Sequence, residues 1–274
     1  MKDYILSIDQ GTTSTRVIIF DKNFNFQSSS QKEFKQIFPR DGEVEHDPEE
    51  IYQSVLFTAK EAIRKAKIKS SQIRSIGITN QRETTVLWDK SNGKPVYNAI
   101  VWQDRRTVKF CKSLVQKGFA KKIQKTTGLI VDSYFSASKI HWLLNNSKKA
   151  KELLKKDKLL FGTIDTWLLW RLTDGQSHYT EATNASRTML FDIKKNQWSK
   201  DMLQIFKVPK KILPIVKDSA DDFGQTTKFG SKIPIQGIAG DQQAATIGQA
   251  CLEPGSIKST YGTGCFIIMN VGSK

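Results

Sequence analysis

Between two short runs rich in β-branched and aromatic residues, Tyr4 to Ile8 and Arg16 to Phe20, the sequence reads Asp9-Gln10-Gly11-Thr12-Thr13-Ser14-Thr15. Phosphate oxygens require several donors converging from a tight backbone, and Gly11 with the hydroxyl residues after it offers N–H and O–H groups together. A carboxylate at a strand end, as Asp9 would be, can hold a hydrated Mg²⁺ beside those phosphates. No Gly-Lys-Ser/Thr comes after it and a strand comes next, so this is not a Walker loop. The same residues also suit an ordinary Asx or Ser/Thr turn, and the loop alone leaves both readings open.

Three other places have residue types suited to chemistry. Asn80-Gln81-Arg82-Glu83 lies just past the β run Ile73 to Thr79, where a cation and a carboxylate can reach a crevice at the end of a central strand and offer donors and acceptors to a polyhydroxylated ligand. A surface ion pair is the plainer alternative there. Gly240-Asp241-Gln242-Gln243 places Asp241 between a strand and a helix, either as a routine N-cap or as a carboxylate able to take a proton from a substrate hydroxyl. Ser259-Thr260-Tyr261-Gly262-Thr263-Gly264-Cys265 is a second Gly and Thr turn, equally readable as a tight hairpin. Trp102, Tyr134 and Phe266 read first as core aromatics.

The elements that must carry these residues alternate in type. The first loop joins a hairpin, a third strand spans Phe26 to Phe34, and Asp47-Pro48-Glu49-Glu50 reads as the capped, acidic start of a long helix. Ile73 to Thr79 and Thr84 to Trp88 read as strands, and helices are expected near 104–117, 118–125, 136–145 and 148–156. Leu159 to Gly162 is a short strand, and helices begin at Asp165-Thr166 and at Ser199. Ile233 to Ile238 is a strand before a helix over Ala244 to Ala250, and Ser256 to Val271 reads as a second hairpin.

The chain has 274 residues, 38% hydrophobic, which is enough for a buried core. Its formal net charge of +16 admits nucleic acid, an anionic surface or a phosphorylated small molecule as partner. Six Lys fall within Lys148 to Lys158 and six within Lys194 to Lys211, at helical positions opposite Leu153, Leu154 and Leu203, so solvated helix faces are the expected reading and nucleic acid is not an expected partner. Cys111, Cys251 and Cys265 form neither a disulfide framework nor a zinc pattern and suit a reducing cytosol. No signal peptide and no run of about 18 apolar residues is found, so no membrane span is expected.

Six segments, residues 9–16, 77–85, 98–106, 183–190, 237–245 and 260–266, taken in order, closely resemble the glycerol-phosphorylating members of the FGGY family of carbohydrate kinases, and the likeness runs along the whole chain. The resemblance implies an α/β, actin-like ATPase and ribonuclease-H-like fold and transfer of the ATP γ-phosphoryl group to glycerol. It further implies that Arg82, Glu83, Tyr134, Asp241 and Gln242 bind glycerol hydroxyls, that Trp102 and Phe266 pack on its carbons, and that Asp241 is the base. Asp9 would position Mg²⁺, and Thr12, Thr13, Ser14, Arg16 and Thr263 would meet the nucleotide phosphates. Arg16 and Arg82 are the only basic residues this assignment puts in the site. Members of the family have two lobes, so residues 1–250 are expected to form the first lobe and 251–274 the start of the second, with homo-oligomers expected of a full-length protein. The alternatives are a non-catalytic relic or glycerol-binding lobe, or another polyol or sugar kinase of the family.

Overall fold

The computed structural model describes residues 3–262 and 264–272. In chain order, the strands that position the site are β1 (Tyr4–Gln10), β2 (Ser14–Asp21), β3 (Phe26–Glu33), β4 (Ile73–Asn80), β5 (Val86–Asp89), β6 (Leu159–Gly162), β7 (Gln225–Thr226), β8 (Ile233–Gly240), β9 (Ile257–Tyr261) and β10 (Cys265–Met269). Six of them form one sheet in the order β7-β8-β4-β1-β2-β3. Strands β8, β4 and β1 run parallel, while β2 is antiparallel to both β1 and β3. A hairpin and third strand, a crossover helix and then parallel strands added on the far side make up the ribonuclease-H-like core of actin-like ATPases, as expected.

Alternation along the strands sets which face is covered. In β1, Leu6, Ile8 and Gln10 are buried while Ser7 and Asp9 are not. In β2, Thr15, Val17 and Ile19 are buried and Arg16 is exposed. Helix α1 (Pro48–Lys65) packs on the buried side, where Ser54 shares a 2.7 Å hydrogen bond with Thr15. Its start matches the sequence expectation: Asp47 accepts from the Glu49 N–H, Pro48 takes the first turn, and Arg64 and Lys65 lie in the last turn, complementing the dipole. Helix α1 and the segment Ile164–Leu172 close one core over the sheet, with Trp88, Trp167 and Phe223 fully buried.

A second core is built by residues between Leu87 and Leu213, around the antiparallel pair of β5 and β6 and the helices Val108–Gln116, Ala120–Thr127, Ser136–Asn146, Lys148–Lys155 and Lys200–Phe206. All six Lys of the 148–158 run are exposed, and Ala150, Leu153 and Leu159 point inward. Among the described residues no helix is long and apolar enough to cross a membrane.

Among the sequence boundaries that shift, three do so where a polar side chain competes for the backbone. The helix expected from 104 begins at Val108, since Asp104 accepts instead from Val44 N–H and from Arg106. The strand expected from Thr84 begins at Val86, because Thr84 Oγ1 donates to Gln81 and Thr85 Oγ1 to the Glu83 carbonyl. The helix expected from Ala244 begins at Asp241 and ends at Gly248, with Asp241 Oδ1 accepting from the Gln242 N–H.

Candidate active site

In register, Gln10 of β1 lies opposite Asn80 of β4, and Asn80 opposite Gly240 of β8. Three adjacent parallel strands therefore end at one level, and the residues just past their ends emerge at the same edge: Gly11-Thr12, Gln81-Arg82-Glu83 and Asp241-Gln242. Ligands of open α/β sheets bind at that edge.

Arg82 is 4% exposed, and its Nε lies 2.7 Å from Asp241 Oδ1. The Nε–H points off that line and makes no directed hydrogen bond, so the contact is one of charge. Gly240 makes the approach possible, since a Cβ there would stand 2.6 Å from Arg82 Cδ. Glu83 is buried with φ +61°, a left-handed conformation that a non-glycine residue adopts only when its surroundings hold it. Its Oε1 accepts from Arg187 Nε at 2.6 Å. Burial pushes the Glu83 carboxyl above the usual range, against the pull of Arg82 and Arg187.

Aromatic rings wall the space above these groups. Trp102 meets Tyr134 edge-on at 5.4 Å and Phe266 at 6.1 Å, and the Arg82 guanidinium lies 5.9 Å from the Phe266 ring. Trp102 Nε1 donates to Thr12 Oγ1 at 2.9 Å, tying the wall to the first loop. Burial pushes the Tyr134 phenol up to about 12, so it remains a donor at neutral pH. Behind it, the buried Lys139 ammonium donates to the carbonyls of Ser133, Tyr134 and Phe135, fixing the turn that presents the ring.

Thr12, Arg82, Glu83, Trp102, Tyr134, Asp241, Gln242 and Phe266 thus line one cavity of about 170 Å³. A larger cavity of about 720 Å³ shares the Trp102 and Tyr134 wall, but it opens among Val108, Cys111 and Val115 and receives none of the strand-end groups. The smaller one has the convergent polar groups and is the candidate site. It is small beside the roughly 300 to 1,000 Å³ of pockets for drug-sized ligands, so a few-atom polyol fits it better.

The first loop lies at its rim. Asp9 pairs in register with Arg16, and its carboxyl is raised by burial and by the Asp241 charge, with Arg16 pulling the other way. Among the described residues the Asp9 carboxylate takes no hydrogen bond. Thr13 and Arg16 are exposed, and Ser14 Oγ and Arg16 Nε are both bonded to Gln31. These three stand outside the cavity, on the solvent side of the loop. Thr263 lies outside the described residues.

Four residues escape a reading of the sequence alone. Arg187 neutralises Glu83, and Lys258 Nζ donates to Gln242 Oε1 at 2.8 Å, so Arg82 and Arg16 are not the only basic residues at the site. Thr183 Oγ1 accepts from the Gly240 N–H at 2.8 Å and donates to the buried Glu181, which steadies the end of β8. Asn184 exchanges two hydrogen bonds with Asn80 at the end of β4. Thr183, Asn184 and Arg187 all lie in the 183–190 segment, which carries a resemblance but no assigned role.

The profile of the N-terminal domain of the FGGY family of carbohydrate kinases matches residues 4–248. Glycerol kinase of Rhizobium meliloti (strain 1021) is 59% identical over 274 residues, covering 99% of this chain and 55% of that protein. Glycerol kinase 2 of Thermotoga maritima is 55% identical over 273 residues, with 99% and 55% covered. The crystal structure of Plasmodium falciparum glycerol kinase with ADP superposes with a TM-score of 0.93 at 41% identity, over 99% of this chain and 55% of that one. A gluconate kinase from Lactobacillus acidophilus superposes with a TM-score of 0.86 at 25% identity, over 96% and 53%. The chain spans about half the length of the curated relatives it matches. With these likenesses laid over the strand-end site, the chain belongs to the FGGY family of carbohydrate kinases.

Proposed function

We propose that this chain provides the acceptor site of an ATP:glycerol phosphotransferase, which converts glycerol and ATP to sn-glycerol 3-phosphate and ADP. The observation that carries the reading is the 170 Å³ cavity, in which Arg82, Glu83, Asp241 and Gln242 converge beneath Trp102, Tyr134 and Phe266. A polyol hydroxyl both donates and accepts, and the four polar side chains offer two donors and two acceptors. The rings leave room for a short carbon chain. The curated relatives above carry the name glycerol kinase.

Asp241, held by the Arg82 charge at the strand end, would accept the proton of the attacking hydroxyl. The oxygen bonds to the γ-phosphorus as the bond to the ADP oxygen breaks. Because such transition states are loose, the proton leaves late, and alignment contributes more than base strength. Trp102 and Phe266 hold the carbon chain and exclude water, which would otherwise compete as acceptor. Thr12, fixed by Trp102, carries the first loop up to the acceptor cavity; Thr12, Thr13, Ser14 and Arg16, together with Thr263, would meet the nucleotide phosphates.

Asp9 fits a Mg²⁺ ion: its carboxylate takes no hydrogen bond among the described residues, and burial and the Asp241 charge together hold its carboxyl above the usual range against the pull of Arg16. Those residues include no cluster of three or more metal-ligating side chains, so the ion would be held by Asp9, phosphate oxygens and water, as Mg²⁺ commonly is. Bound there, it would neutralise charge on the transferring group. Homo-oligomers and a cytosolic location belong to the same reading.

The test is chemical. Incubate the protein with ATP, Mg²⁺ and, separately, glycerol, xylulose and gluconate, and identify the phosphorylated product. Glycerol 3-phosphate is expected as the main product of any turnover; phosphorylation of xylulose or gluconate in preference to glycerol would overturn the reading.

A further inference from the structure

Strand β9 alternates exposed Ile257, buried Lys258 and exposed Ser259, so Lys258 is turned toward helix Asp241–Gly248 and away from solvent. Its ammonium lies 2.8 Å from Gln242 Oε1, and among the described residues no carboxylate lies within ion-pair distance of it. Lys258 and Gln242 are each 5% exposed. An ammonium is costly to bury without a charged partner, and here its bonded partner is a neutral amide.

That choice fixes something a carboxylamide otherwise leaves open. An ammonium has three donors and no acceptor, so it accepts only the carbonyl side of the Gln242 amide; the flipped amide would press two N–H donors against it. On the other side, Gln242 Nε2 lies 3.4 Å from Asp241 Oδ2, an acceptor-only group when ionised, which again demands the N–H side. Both neighbours select the same orientation.

We propose that Lys258 is a positioning residue that locks the Gln242 amide with its carbonyl turned away from the cavity and its NH₂ turned into it. Gln242 is then a pure donor to the acceptor substrate. A hydroxyl seated between Gln242 and Asp241 accepts from the amide and must direct its own proton at the Asp241 carboxylate. Lys258 thereby sets the direction of proton transfer through Gln242, without touching the substrate. The functional half of this inference rests on reading the cavity as a polyol site; the orientation of the amide does not.

The orientation is tested first, without ligand. In ¹⁵N-labelled protein, the Gln242 side-chain NH₂ pair is assigned by its loss in Gln242→Leu. Lys258→Met is expected to shift that pair and to speed its proton exchange at least about tenfold, while Lys258→Arg, which keeps the donor, leaves it in place. An unmoved pair in Lys258→Met overturns the proposal. Glycerol titrations of wild type, Lys258→Met, Gln242→Leu and the double variant come second. Lys258→Met is expected to weaken binding about tenfold in the wild-type background and to have no further effect in Gln242→Leu, consistent with loss of one charge-assisted hydrogen bond acting through a shared partner. Additive losses would mean that Lys258 acts independently of Gln242, which overturns the functional half.

Should Lys258→Met fail to fold, Gln242→Glu decides the matter. It keeps an acceptor for Lys258 but replaces the donors and sets a carboxylate against Asp241, so glycerol affinity is expected to fall at least about tenfold; undiminished affinity contradicts the proposal. If wild type binds no glycerol, the polyol reading fails, while the NH₂ pair still reports on Lys258.

Discussion

Arg82 and Gly240 show how the chemistry depends on a missing side chain. Arg82 can reach Asp241 only because Gly240 has no Cβ to meet its methylenes. Gly240→Ala is therefore expected to leave the fold intact, since φ at Gly240 is −60° and suits alanine, but to displace the guanidinium and weaken glycerol binding at least about tenfold. Calorimetric titration beside a thermal melt checks both halves; unchanged affinity would mean that the Arg82 approach is not needed. At this scale the strand-end acids and the first loop are legible in the sequence, because Gly-Asp after a β run and a hydroxyl-rich turn are local patterns. Arg187 and Lys258 are not, because nothing local distinguishes them among 43 basic residues. Glu83 on one and Gln242 on the other become their partners only once distant segments fold together.

The elements themselves are legible where one periodicity rules and less so where side chains capture the backbone. Helix α1 carries its cap, its proline and its charges in the sequence, whereas the starts at Val108 and Val86 are decided by Asp104 and by the Thr84 and Thr85 hydroxyls. The segment Tyr179–Glu181, which pairs with Ile215–Lys217, leaves no sequence signal, being three residues long and fixed by a partner more than thirty positions away. Just before it, His178 Nε2 lies 2.8 Å from the Phe161 carbonyl, an acceptor only, which makes Nε2 the protonated nitrogen, and the ring meets Trp88 edge-on. Burial lowers its pKa from the ordinary 6.5 to about 4. Between those values the unfolded chain binds a proton that the folded one does not, so the His178 contribution to stability falls as pH drops from about 6.5 to about 4. His178→Gln, which has no such proton to bind, is expected to lose less stability than wild type across that window. Denaturant midpoints measured at pH 7 and pH 4.5 for both proteins check this; parallel losses would contradict the neutral buried imidazole.

Over the whole molecule, charge and apolar surface fall in different places. The positive charge sits largely on Lys side chains such as those of the 148–158 run, facing water opposite a leucine-lined core. One contiguous patch of exposed apolar surface lies on one side of the β9–β10 hairpin. Register pairs Ile257 with Met269, Ser259 with Ile267 and Tyr261 with Cys265, and all of these point outward, while Lys258 and Phe266 face the site. Ile267 is 73% and Tyr261 79% exposed. Contiguous apolar surface on an uncovered strand pair promotes association, so apparent mass by light scattering is expected to rise with concentration and to flatten when Ile267 and Met269 are both replaced by Lys. Equal masses for the two proteins would show that this face is inert.

The same hairpin brings Phe266 and Lys258 to a site otherwise made by the ends of β1, β4 and β8, and the proposed function stands on that site taking a short polyol. Calorimetric titration of the purified chain with glycerol, xylulose and gluconate tests this directly. Saturable binding of glycerol, absent for the two longer polyols and lost in Arg82→Leu, is the predicted result; no glycerol binding by the wild-type chain, or equal binding by Arg82→Leu, would contradict it.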